Sequence, residues 1–264
     1  MRARLAWLCW CFCLGCHGLK GVDAQPGEPH SPWEMGQNAM RAGDPDEAIA
    51  RYQEALSQKE PDPRHYLSLA AAHVAKGDEA AASLALAHYI QVNPDHYKAR
   101  SYYAELLRRL GKNDEAQFQF ERTVADLQQE TTVPCAQLVH CHGRLMELAE
   151  DREDDYEVHL HRGIGLYWLA QESRDMAAAN EGLNSEGLWC KAAAELSLAH
   201  AARPQQARPS WYLYSVWRCL AQTHLAQRCL RDAQEAAPFT LLTPAEYRSL
   251  EFAGAASTFP RPGT

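Results

Sequence analysis

The residues best suited to chemistry lie between 135 and 161, where Cys135, His140, Cys141, His142, His159 and His161 gather. Thiolate and imidazole are the ligands that zinc and copper prefer, so a metal or redox centre is the first chemistry to weigh. The spacing opposes it. His140 and His142 would point about 200° apart on a helix, as would His159 and His161, and no pair of these histidines stands four apart. No C-x-x-C is present beyond residue 16. The expectation is that His142 and His161 pack in the core with hydrogen-bonded rings while the other histidines face solvent. Beyond the first 16 residues five cysteines remain, Cys135, Cys141, Cys190, Cys219 and Cys229. An odd number cannot all be paired, and they read as free, buried, small apolar residues.

Paired carboxylates can act as general acid and base. Here Glu147, Glu150, Asp151, Glu153, Asp154 and Asp155 form one run, which reads as a solvated helix end. There is no Gly-rich phosphate loop, no G-x-S-x-G and no H-E-x-x-H. The expectation is a protein that is not an enzyme, with no cofactor and no small-molecule substrate. The net charge of −8 disfavours nucleic acid, since phosphate binding needs a basic face.

The elements that would position these residues are announced by a repeat. Gly43, Gly77 and Gly111 stand 34 residues apart, as do Ala48, Ala82 and Ala116, and Tyr52, Leu86 and Phe120. The segments read GDPDEAIARYQEAL, GDEAAASLALAHYI and GKNDEAQFQFERTV. Ala192, Leu196, Ala199 and Pro204 are echoed 34 residues later by Ala226, Leu230, Ala233 and Pro238. Glycine supplies a left-handed helix end, and alanine admits a close helix approach. This pattern resembles the tetratricopeptide repeat (TPR).

The resemblance implies an all-α, right-handed TPR-like α-solenoid of antiparallel helix pairs. Three regular units would fill residues 32–129. Residues 130–187 would be irregular, with an extra helix at 135–150 and a polar loop at 173–187. Degenerate units and a cap helix, ending near Phe252, would fill 188–253, and 254–264 would be a disordered tail. The family binds protein partners along its first helices. Carried onto this chain, that wall holds Trp33, Gln37, Arg41, Arg64, Leu67, Ser68, Ala71, Lys98, Ser101, Tyr102 and Arg109. The family's clamp for chaperone C-termini wants Lys and Asn where this chain has Trp33 and Gln37.

The first residues read as an address. Arg2 and Arg4 precede an apolar run over residues 5–14, the length of a signal peptide and short of a membrane span. Leu14-Gly15-Cys16 resembles the bacterial lipobox, with Cys13 where that pattern prefers Leu. It implies lipidation at Cys16, a tether over 17–31 and a membrane-anchored body in the periplasm. Val22-Asp23-Ala24 fits ordinary cleavage and simple secretion. The combined expectation is an envelope scaffold binding a peptide or helix of a partner protein. Its rivals are a metal- or redox-active protein and a structural spacer.

Overall fold

The computed structural model describes residues 31–177 and 185–258, and all regular structure among them is helical. The expected signal segment, Cys16 and nearly all of the tether lie outside those residues. The chain forms two compact units, one ending at Ala116 and one beginning at Gln117.

The first unit holds α1 (Pro32–Ala42), α2 (Pro45–Leu56), α3 (Arg64–Lys76), α4 (Glu79–Val92) and α5 (Tyr97–Arg109). Its joints follow from local chemistry. Ser31, the last residue of the expected tether, caps α1 in a reciprocal box: its Oγ accepts from the Glu34 N–H, and its own N–H donates to Glu34 Oε2. Gly43 and Gly77 then take φ of 80° and 87°, which glycine adopts without a Cβ penalty. Asp44 and Asp78 follow at once, each accepting a backbone N–H at 3.0 Å to start the next helix. Such short turns make each helix antiparallel to the last. Ala48, Ala82 and Ala116 are fully buried, as their period predicts. At Gly36 a Cβ would stand 2.6 Å from the Tyr52 ring, so α1 lies on α2 at a distance only glycine permits. The TPR-like helix pair is what the structure shows.

Helix α6 (Asn113–Leu127) supplies Gln117 onward to the second unit. That unit continues with α7 (Cys135–Glu150), α8 (Asp155–Ala177), α9 (Ser185–Ala202), α10 (Ala207–Cys219) and α11 (Thr223–Ala236). A single 3-10 turn over Ala237–Phe239 leads to α12 (Pro244–Thr258). The extra helix at 135–150 is present as α7. Tyr156, Leu160, Ile164, Trp189, Leu196, Tyr212 and Val216 form the core, and Gly163 faces Leu196 as Gly36 faces Tyr52.

Two boundaries differ from expectation. The polar loop foreseen at 173–187 is overtaken by helix at both ends, because Ser173 is buried and good helix formers surround it. Helix α12 runs past Phe252 to Thr258, since Ala-rich sequence sustains it and Gly254 is buried. The glycine joint also survives without glycine. Glu153 and Ala221 take φ of 57° and 56°. Asp154 then caps α8 as Asp44 caps α2. A non-glycine residue in that region costs about 1–2 kcal/mol, and the surrounding turn imposes it.

Candidate binding surfaces

In the first unit the structure joins two of the residues expected on the first-helix wall. Trp33 Nε1 donates to Ser68 Oγ at 3.2 Å, and the Trp33 ring stacks on His65 at 5.9 Å. Consecutive first helices, α1 and α3, therefore share one surface. Gln37, Leu67, Ala71, Ser101 and Tyr102 are half-buried, and Leu67 and Tyr102 pack on the unit's core. The cations are partly occupied. Arg41 donates to Asn38 at 2.7 Å, Arg64 holds Asp62, and Arg109 donates to Glu79 at 2.7 Å. The Arg64 hydrogen bond keeps the Asp62 carboxyl below its usual range. Lys98 is exposed.

In the second unit the Cys/His cluster does not assemble. Among the described residues no group of three potential ligands is placed to hold a metal. His142 and His161 do meet, buried, with Nδ1 atoms 3.0 Å apart. His161 Nε2 stands 3.3 Å from Glu157 Oε2. A carboxylate accepts, so His161 donates from Nε2 and receives the His142 proton at Nδ1. His142 Nε2 then carries a buried lone pair without a partner. Burial first, then the proximity of His161 and of the Arg208 guanidinium, pushes His142 well below the ordinary histidine range. The core-packed, hydrogen-bonded pair is as expected, but the other two histidines do not simply face solvent. His159 reaches Glu195 at 2.7 Å and His140 stands edge-on to Phe120, both half-buried because α7 and α8 are flanked on several sides. Among the described residues no cysteine is in a disulfide, and of the five only Cys141 is fully buried; Cys190 and Cys219 are exposed.

The histidine pair borders a cavity of about 410 Å³, lined also by Tyr156, Glu157, Arg203, Arg208, Thr243 and Glu246. Its charges are matched to one another. Arg208 Nε donates to Glu246 Oε2 at 3.1 Å, and the Tyr212 hydroxyl donates to Oε1 at 3.0 Å. Glu246 Oε2 also accepts from the Thr243 N–H, while Thr243 Oγ1 accepts from the Glu246 N–H, capping α12. Thr243 Oγ1 donates to Gln128, which donates to the Tyr212 hydroxyl. Arg203 grips both oxygens of Asp154 and lies 4.3 Å over the Tyr156 ring. So Asp154, expected in a solvated run, is committed to a helix cap and an ion pair. These groups position helices.

A second concavity of about 470 Å³ lies between α10 and α12. Helix α10 presents Trp211, Tyr214 and Arg218, spaced i, i+3, i+7, which places them on one face. Helix α12 answers with Arg248, Ser249, Phe252 and Ala253. The Trp211 and Tyr214 rings stand 5.4 Å apart, and Arg218 lies 5.5 Å over Tyr214. Sequence reading missed this surface. Helical spacing could have found each stripe, but nothing local says that the two stripes face each other.

No protein-family model matches the chain, and no curated protein matches it. Solved structures do resemble it. PilW, described as a widely conserved type IV pilus biogenesis factor, is 14% identical, with 83% of this chain and 96% of that one covered and a TM-score of 0.40. PilF of Pseudomonas aeruginosa is 12% identical, with 84% and 96% covered and a TM-score of 0.40. Yeast Tom70 is 15% identical, with 86% and 66% covered and a TM-score of 0.32. At superpositions this loose, the repeat is recognised by the chain's own 34-residue positions rather than by its neighbours.

Proposed function

We propose that the chain is a non-catalytic scaffold that holds a peptide or helix of a partner protein on the first-helix wall of its first unit. The observation that carries this reading is the Trp33–Ser68 bridge with the half-buried residues around it. Two consecutive first helices present one continuous surface of aromatic, amide and hydroxyl groups, edged by Arg41, Arg64, Lys98 and Arg109. Half-buried aromatic and arginine residues are the composition that protein interfaces favour. A helix or extended segment laid along such a wall would meet side chains from α1, α3 and α5 in turn.

The body would work in the cell envelope, tethered through a lipid at Cys16. Support for that part is the sequence alone: Arg2 and Arg4, the apolar run and Leu14-Gly15-Cys16. Photo-cross-linking from Gln37 and Lys98 in intact cells tests the wall. Both positions should capture the same partner, and Leu84, exposed on the second helix α4, should not. Capture from Leu84 alone would overturn the assignment. For the anchor, Cys16→Ser should abolish lipidation, read by intact mass and membrane fractionation. An unchanged mass would replace it with simple secretion.

A further inference from the structure

The trough between α10 and α12 has a chemistry of its own. Its lining contains three aromatic rings, Trp211, Tyr214 and Phe252, and two guanidinium groups, Arg218 and Arg248, without a single carboxylate. Several other arginines of this acidic chain do have acid partners: Arg51 with Glu47 and Glu54, Arg64 with Asp62, Arg162 with Glu150. Arg218 instead donates to the Tyr214 hydroxyl at 3.4 Å and rests on that ring. Among the described residues, no carboxylate pairs with Arg218 or Arg248. Phe252 is 78% exposed, which leaves its ring facing water beside two unneutralised cations.

We propose that this trough is a second docking site, and that its occupant is a short acidic segment of a partner protein bearing an apolar side chain about one helical turn from its carboxylates. Charge complementarity selects the acid: a carboxylate meets two planar forks suited to bidentate hydrogen bonding. The three rings select the apolar neighbour, since covering them removes aromatic surface from water. The size agrees. Trp211 to Arg218 spans about 10 Å along α10, the length of roughly three extended residues or two helical turns. The net charge of −8 repels an extended polyanion such as RNA or an anionic membrane. A short segment instead feels mainly Arg218 and Arg248, because screening confines the field to about 8–10 Å. The trough is also concave, whereas a membrane-inserting surface must project.

This inference rests on the scaffold reading but concerns a different unit and different residues. The test uses the full chain and a fluorescein-labelled synthetic peptide with Glu and Leu one turn apart, followed by anisotropy. The peptide should bind saturably, and replacing every Leu by Ser, or every Glu by Lys, should weaken it about tenfold or more. Arg248→Glu, at an exposed position, should weaken it similarly with the circular dichroism spectrum unchanged. The Arg218→Glu/Arg248→Glu double variant should then prefer the Lys peptide over the Glu peptide. Equal binding of the acidic and basic peptides, or no response to either variant, would overturn the proposal. So would tighter, Arg248-dependent binding of phosphatidylglycerol vesicles or single-stranded RNA. Cross-linking from Gln37 and Lys98 should persist in the double variant, which separates failure of this site from failure of the first-unit wall.

Discussion

In the unit ending at Ala116 the close helix contacts run through Ala48, Ala70, Ala72 and Ala82, whereas beyond Gln117 the core is built on Tyr156, Trp189, Leu196 and Tyr212. The first unit spaces its helices with small residues and turns them with Gly43 and Gly77. The second keeps buried small residues such as Ala192 and Ala199 but packs more aromatic rings among its helices, and it turns two joints with Glu153 and Ala221, residues that enter the left-handed region at a cost. It also ties distant helices together by polar contacts: Arg208, Glu246, Tyr212, Thr243 and Gln128 bind one another across three segments of the chain. A regular repeat is stable wherever its small positions are kept, because every joint is the same. An irregular one needs long-range polar contacts to define which helix goes where. Buried ion pairs contribute little net stability, yet breaking one is expensive.

The two units should therefore fail differently. The largest expected effect belongs to Glu246→Ala, which leaves the Arg208 charge unpaired and removes the acceptor of the Tyr212 hydroxyl and the α12 cap. It should cost about 3–5 kcal/mol, read as a lower urea midpoint in tryptophan fluorescence, which in the described residues comes mostly from the second unit. A loss below that of an ordinary surface change would mean that the network positions nothing. Next comes Ala82→Leu in the first unit. Ala82 is fully buried, and added methylenes there should cost about 1–3 kcal/mol. An unchanged thermal midpoint by circular dichroism would show that the helices do not approach closely there.

The smallest effect is in pH. Burial lowers His142, and likewise His65, His73 and His96 in the first unit, from the ordinary 6.5. A histidine whose folded pKa is depressed binds its proton more readily when unfolded. Its contribution is present in full above pH 6.5 and is lost as pH falls from 6.5 toward the folded value. Denaturation midpoints should decline over that window, above the range where Asp62, Asp154 and Glu157, whose pKa values are also lowered, take up protons. His142→Asn should flatten the decline seen by tryptophan fluorescence and leave the histidines of the first unit titrating. Identical slopes in both proteins would mean that the buried pair is not pH-sensitive.

The helical class, the period and the first-unit joints were legible because each depends on residues close in sequence. Asp44 caps a backbone N–H three residues on, and Gly43 sets a single φ. The same logic misread 173–187, where burial of Ser173 outweighed a polar composition. It also missed the joint at Glu153, since no local rule asks for glutamate in a left-handed turn. Among the wall residues, Trp33 and Ser68 could be paired through the repeat period, whereas Arg41, Arg64 and Arg109 proved to have neighbours of their own.

By itself, then, the sequence determined that this chain would pair helices, where the regular ones would begin and end, and which alanines would be buried. Caps and periodic small residues act over one turn or one repeat. Only the tertiary structure decided that Gln128 meets Thr243, that Arg208 is spent on Glu246, and that Arg218 and Arg248 share an aromatic trough without an acid. Those pairings depend on how separate helices stack, and stacking leaves no fixed spacing along the chain for a reader to find.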